Sequence, residues 1–317
     1  MKRLLAGLLV VVATQIQAQA WPAKPVKIIV PFAPGGTADT LGRLAAQKLG
    51  EQLKASFVVE NRAGAGGALG SDLVAKAAPD GYTLVVSGIA SHVIAPMLPQ
   101  GTPYDPVRDF THIALFGGPP AVLAVHAPLP AKDLPALIAL AKSGHRLSYG
   151  SPGNGTQGHL VAELFKQRAG INMQHIPYKG ASGAMTDLIA GHIPVVSTTL
   201  TTAAPQIRAG RARGLAISAA SRLAEFPDIP TYAELGYPDL VATVWFSLSG
   251  PANLPADIVE RVNAEVNRAF EASEVRERLK PEGIVPSRMN ATEFGAFVAE
   301  ELRRWGPVVR ASGAKND

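Results

Sequence analysis

The 317-residue chain contains no cysteine, which excludes disulfides and thiolate metal sites. Aromatic residues make up 6% of it, and nowhere do they interleave with a basic stripe, as nucleic-acid binding requires. The nearest basic cluster, Arg208, Arg211 and Arg213, reads as the exposed end of a helix. Tandem repeats, low-complexity tracts and charge blocks are also missing. The formal charge is +5; Lys2 and Arg3 account for two of these, leaving about +3, a mild excess that favours solubility and attracts small anions.

Those two residues belong to a leader. Met1-Lys2-Arg3 is a basic head, Leu4 to Ala13 an apolar run, and Ala18-Gln19-Ala20 a small-x-small cleavage pattern. The run falls short of the ~20 residues a membrane span requires. The expectation is a signal peptide over 1–20, cleaved after Ala20, and export to a bacterial periplasm. With no cysteine after the cut, a lipid-anchored lipoprotein is excluded.

Enzyme signatures are absent too. There is no HExxH, no P-loop lysine signature and no G-x-S-x-G elbow; Tyr149-Gly150-Ser151-Pro152-Gly153 lacks the first glycine. The seven histidines are scattered, with no pair at metal-ligand spacing. Gly153-Asn154-Gly155-Thr156-Gln157-Gly158 matches G-x-G-x-x-G after a strand. However, the acidic residue a dinucleotide site needs about twenty positions later is replaced by His175-Ile176-Pro177-Tyr178-Lys179. No metal, cofactor or catalytic residue is expected.

Two stretches of common design stand out. KIIVPFAPGGTADTLGRLAAQKL starts at Lys27, and LSYGSPGNGTQGHLVAELFKQ at Leu147. Each reads as a short strand, a glycine-rich polar loop and an amphipathic helix. Such loops leave backbone N–H groups at a helix N-terminus, where the dipole favours an anion. Gly35 and Gly36 let the backbone approach a ligand closely. Thr37 and Asp39 are expected to cap the first helix, and Ser151, Asn154 and Thr156 offer donors from the other side. His159 and His92 read as loop braces. The pair of cradles suggests a protein that clasps a carboxylate through neutral donors, helix ends and bridging waters.

Around these loops, strand-like and helical runs alternate, which predicts parallel sheets covered by helices. LFGGPPAVLAV, from Leu115, reads as a crossing into a second domain, and Val244–Ser249 as the return. Two amphipathic helices follow, carrying Ile258, Val262, Val266 and Phe270, then Phe294, Val298, Leu302 and Trp305; both are expected on the first domain. The expected division is 21–122 with 245–317 as a discontinuous first domain and 123–244 as the second, a plan that favours hinge closure over a ligand.

Long blocks in fixed order carry a resemblance: WPAKPVKIIVPFAPGGTADT, VVENRAGAGGALGSDLVAKAAPDGYTL, YDPVRDF, SYGSPGNGTQGHLVAELF, HIPYKGASGAMTDLIAG and RWGPVVRASG. The chain resembles the solute-binding receptors of tripartite tricarboxylate transporters, the Bug-type periplasmic receptors, over nearly its whole mature length. The resemblance implies a two-domain α/β Venus-flytrap fold, each domain a mostly parallel sheet flanked by helices. It also implies a monomer without catalysis that delivers a small carboxylate to membrane permease subunits. The ligand positions it implies are Phe32, Pro34, Gly35, Gly36, Thr37, Ala38 and Asp39 in the first loop. Ser87, Ser91 and His92 line the same cleft by analogy. The second loop brings Tyr149, Ser151, Gly153, Asn154, Gly155, Thr156 and His159, with Tyr178 beyond it. Where the family usually has a Phe-Asp-Asn-like triplet, this chain has Ser197-Thr198-Thr199, placing Ser197 and Thr198 in the site without a carboxylate. That departure points to a non-amino mono- or dicarboxylate, aromatic ones included. The alternatives are a receptor feeding a signalling system, or an exported enzyme with Asp39 and His159 as its candidates.

Overall fold

The computed structural model describes residues 21–314 except 243 and 285; the expected signal peptide and its cleavage site lie outside the described residues. The first half runs β1 (Val26–Val30), α1 (Thr37–Leu53), β2 (Phe57–Asn61), α2 (Ala68–Ala75), β3 (Thr83–Gly88), α3 (Ala95–Met97) and β4 (Phe110–Gly117). The chain then crosses into β5 (Ala121–His126), α4 (Leu134–Lys142), β6 (Ser148–Ser151), α5 (Gln157–Ala169), β7 (Gln174–Pro177), α6 (Ala181–Ala190), β8 (Val195–Thr199), α7 (Leu200–Arg208) and β9 (Ala212–Ile217). It returns as β10 (Phe246–Pro251) and ends in α8 (Ala256–Glu271), α9 (Ser273–Leu279) and α10 (Ala291–Ser312).

Two five-stranded sheets result, ordered β2-β1-β3-β10-β4 and β7-β6-β8-β5-β9. They share one topology. Each is parallel but for a single strand: β10 runs antiparallel to β3 and β4, and β5 antiparallel to β8 and β9. These are the two crossing strands. Only Gly118 to Pro120 separate β4 from β5, so no helix intervenes where the chain first changes sheets. The fold is therefore two-domain α/β with mostly parallel sheets, modified where the chain changes sheets.

Both faces of each sheet are covered, so the strands read as apolar runs rather than alternations. In β1 every residue but Lys27 is buried. Leu41, Leu44, Ala45 and Leu49 of α1 pack into the first core together with Ile258, Val262, Val266 and Phe270 of α8, and Phe270 stacks on Phe116 at 4.8 Å. The last helix reaches both halves. α10 opens with a capping box between Asn290 and Glu293 and packs on β4, but it also contacts α5 of the other half. There Gln167 Nε2 donates to the Ser312 carbonyl at 2.9 Å, and Leu160 of α5 is part of the first half's core. Packing across the halves depends on their mutual placement, which the helical period does not encode.

Candidate functional site

The C-terminal ends of β1 and β6 deliver their loops to the same place between the two sheets. α1 begins at Thr37 after an extended Gly36, with no side chain capping it. Thr37, expected as a cap, instead lies 2.7 Å, hydroxyl to hydroxyl, from Thr199 at the end of β8. α5 begins after Thr156, whose hydroxyl accepts from the His159 amide. The opening amides of a helix have no partners within it. Gly36, Thr37 and Ala38 from one helix start, and Thr156, Gln157 and Gly158 from the other, line one inner space.

That space leaves about 50 Å³ to the centre of a water molecule, enough for more than one water by volume. Besides Ser91 and Thr199, its remaining walls are mostly apolar: Phe32, Ile89, Pro152, Val244, Trp245 and Phe246 among them. Among the described residues, no Asp, Glu, Lys, Arg or His lines it. Phe32 and Pro152 also border a wider outer space of about 520 Å³, whose walls include Gly66, Asn154, Tyr178 and Lys179. The two halves touch around the rim: the Ala33 amide donates to the Lys179 carbonyl at 3.0 Å, and Ser182 Oγ to the Pro34 carbonyl at 2.8 Å. A Cβ at Gly66, where φ is +61°, would stand 2.3 Å from the Asn154 carbonyl oxygen. Only glycine allows both that conformation and that approach.

The first loop is held from behind by Asp39. Its carboxylate accepts from the Gly35 amide at 3.0 Å, Arg43 Nε at 3.0 Å and Asn61 Nδ2 at 2.9 Å. Burial alone would raise its pKa, but these hydrogen bonds and the Arg43 charge hold it below the usual carboxylate range. Asp39 therefore shapes the loop and does not line the inner space. The second loop is braced by an aromatic stack. His175 lies against His159 at 4.0 Å and against Tyr149 at 4.9 Å, with its Nε2 2.7 Å from Ser151 Oγ. His159 Nδ1 accepts from the Gly155 amide. Burial, with the His159 and Lys166 charges adding, pushes His175 down to about 3. Tyr149 donates to Glu163 at 2.5 Å, and burial and that carboxylate raise its pKa.

Of the sequence-named residues, Phe32, Gly36, Thr37, Ala38, Ser91 and Thr156 line the inner space, and Gly153, Asn154 and Tyr178 the outer one. Tyr178 donates to Asp187 at 2.6 Å; burial first, then that bond, raise its pKa to about 12. Pro34 and Gly35 are exposed at the rim. Ser87 sits within the sheet, 2.7 Å from both Ser247 and Ser249. His92 is fully buried against Phe110, with its Nδ1 2.9 Å from Ser91 Oγ; burial and the nearby His112 push its pKa well down. Ser197 and Thr198 are buried in β8, their hydroxyls without hydrogen-bond partners among the described residues, while the next residue, Thr199, reaches the inner space. Sequence reasoning also missed Gln157, Trp245 and Phe246. Trp245 and Phe246 lie in the return crossing, whose apolar pattern suited a strand equally well.

Comparisons with known proteins identify relatives of the whole chain. Residues 41–314 match the family model described as "Tripartite tricarboxylate transporter family receptor". The chain is 37% identical over 322 residues to Protein BugT of Bordetella pertussis, covering 99% of each. It superposes with a TM-score of 0.89 on Rpa4515 of R. palustris, solved with adipate, at 32% identity over 93% of this chain and 99% of that one. MatC from Rhodopseudomonas palustris, with bound malate, matches with a TM-score of 0.86 and 32% identity over 91% and 100%.

Proposed function

The chain belongs to the tripartite tricarboxylate transporter receptor family, and on that premise we propose that it is an extracytoplasmic receptor for a small carboxylate, which it delivers to membrane permease subunits. The family is one of solute-binding receptors, not enzymes. The observation that carries the ligand class is the convergence of two helix N-termini on one space without charged side chains. Helix dipoles and free amides favour an anion there. The same fold holds adipate in one relative and malate in another.

Each hydrogen bond from an amide or hydroxyl to a carboxylate contributes ~1.5–3 kcal/mol. Three or four, less the cost of association, reach the ~8 kcal/mol of a micromolar complex. Thr37 and the opening amides of the two helices, those of Ala38 and Gly158 among them, are the groups placed to hold the carboxylate. The rim contacts Ala33–Lys179 and Ser182–Pro34 close the cleft over it, with the two crossings near Gly118 and Val244 as the hinge.

The test is a thermal-shift screen of the chain from Trp21 onward against small carboxylates and their amides. Ligand at a hundred times its dissociation constant stabilises the fold by ~2.7 kcal/mol, so an acid in this class raises the melting temperature and its amide does not. No shift with any acid, after unfolding and refolding to strip copurified ligand, overturns the carboxylate reading.

A further inference from the structure

Among the described residues, Phe32 from the first half and Pro152 from the second border both the inner and the outer space. The inner space leaves about 50 Å³ to the centre of a water molecule, against about 520 Å³ for the outer one. The Phe32 ring lies across the boundary between them. A Cβ at Gly67 would stand 3.0 Å from its Cζ, 3.3 Å from its Cε2 and 3.2 Å from Ser91 Cβ. Gly67 walls the outer space and Ser91 the inner one, so the ring tip is seated where one gives way to the other. That seat requires glycine: φ at Gly67 is +97°, and a side chain there would crowd the ring.

The backbone beneath the ring is tied on both sides. The Phe32 carbonyl accepts from Asn61 Nδ2 at 3.0 Å, and the following amide, that of Ala33, donates to the Lys179 carbonyl of the other half at 3.0 Å. The ring is partly buried and packs against the first core. Pro152 is anchored at the start of α5, its Cδ 3.1 Å from where a Cβ at Gly158 would stand. Ile89, Val244 and Phe246, on other sides of the inner space, belong to the buried core, whereas Phe32 also faces the outer space. Forcing an extra methylene into a packed site strains side chains and backbone. A ligand anchored at the two helix starts therefore lengthens freely only until its chain meets the ring. Beyond that it must lift Phe32 from its seat between Gly67 and Ser91.

Resting on the carboxylate-receptor reading, we propose that Phe32 caps the length of the ligand, and that the ligand is a short acid enclosed whole in the inner space. A longer acid either displaces the ring or leaves its carboxylate short of the helix amides, and loses affinity both ways. With the ring removed the two spaces join, and a longer chain continues into the outer one.

The test is calorimetric titration of the mature chain with straight-chain acids in two series, acetate to octanoate and malonate to suberate. In the series bound better, affinity is expected to rise with length to a maximum and then to fall ~10-fold or more over the next two members, the ratio that the strain of excess methylenes implies. In Phe32→Ala the fall moves to chains at least two carbons longer or vanishes, while the acid that the wild type binds best still binds, which shows the variant folded. Phe32→Leu, the milder change, moves it in the same direction and decides the matter if the alanine variant does not fold. Affinity that rises without a break to the longest acid in the wild type overturns the cap. A fall at the same length in the variants overturns the role of Phe32. Either result leaves the carboxylate reading standing. If no acid of either series binds the wild type or the variants, both fall together.

Discussion

The hydroxyls of Thr37 and Thr199 lie 2.7 Å apart, although 162 residues separate them in the chain. One opens the first cradle's helix and the other ends a strand of the opposite sheet, so their contact joins the two halves inside the cleft. Thr37→Val and Thr199→Val should each weaken ligand binding up to ~10-fold, as expected for about 1 kcal/mol of lost closure. The double variant should cost little more than Thr37→Val alone, because across the cleft the second change removes only a bond already lost. Additive losses in a titration would mean that each hydroxyl acts separately.

Asp39 is expected to matter through the loop rather than through the ligand. Replacing it with alanine removes the acceptor for Gly35, Arg43 and Asn61 and should lower stability by about 1–3 kcal/mol. Urea denaturation reads this as a lower midpoint. An unchanged midpoint with lost binding would instead place the carboxylate at the ligand.

Acid should destabilise the fold through histidines held neutral. Burial lowers His175 to about 3, and lowers His112 to about 4 despite its bond to the Pro106 carbonyl. In the unfolded chain each takes up a proton near pH 6.5. Below that pH the unfolded state binds more protons, so stability is full above about 6.5 and falls as pH drops toward 4. The slope is up to ~1.4 kcal/mol per pH unit for each histidine. His175→Phe should make the decline shallower between pH 6 and 4. A melting temperature flat over that range in the wild type contradicts the burial of these rings.

Glu301 of α10 is 4% exposed. It accepts from the indole N–H groups of Trp245 at 2.9 Å and Trp305 at 3.1 Å, and from Arg304 at 3.2 Å. It thereby fixes one wall of the inner space from behind. Glu301→Gln keeps an oxygen for the indoles and should cost about 1 kcal/mol. Glu301→Leu leaves both indole donors buried without acceptors and should cost about 3 kcal/mol or more. Equal losses on chemical denaturation would remove Glu301 from this role.

The elements were legible because their signals are local. The amphipathic helix expected after the first loop is α1, Thr37 to Leu53, and the glycine-rich loops sit where strands meet helices. What the spacing could not carry is which atoms meet across the cleft. Thr37 looked like a cap because its nearest potential partners in sequence are helix amides; its actual partner comes from β8. Gln157 occupied an unremarked place in a glycine-rich match, and its place beside the inner space arises only when β8 and the first half close around it. The crossing strands β5 and β10 were legible as crossings, but their antiparallel direction was not, since alternation describes runs and not their pairing.

The central claim is that the two helix starts hold a carboxylate. Its most direct test is calorimetric titration of the mature chain with the acid giving the largest thermal shift, and with that acid's methyl ester. The account predicts micromolar or tighter binding of the acid and ~100-fold or greater loss for the ester, as the loss of ionic hydrogen bonds implies. Equal affinity for acid and ester would contradict it.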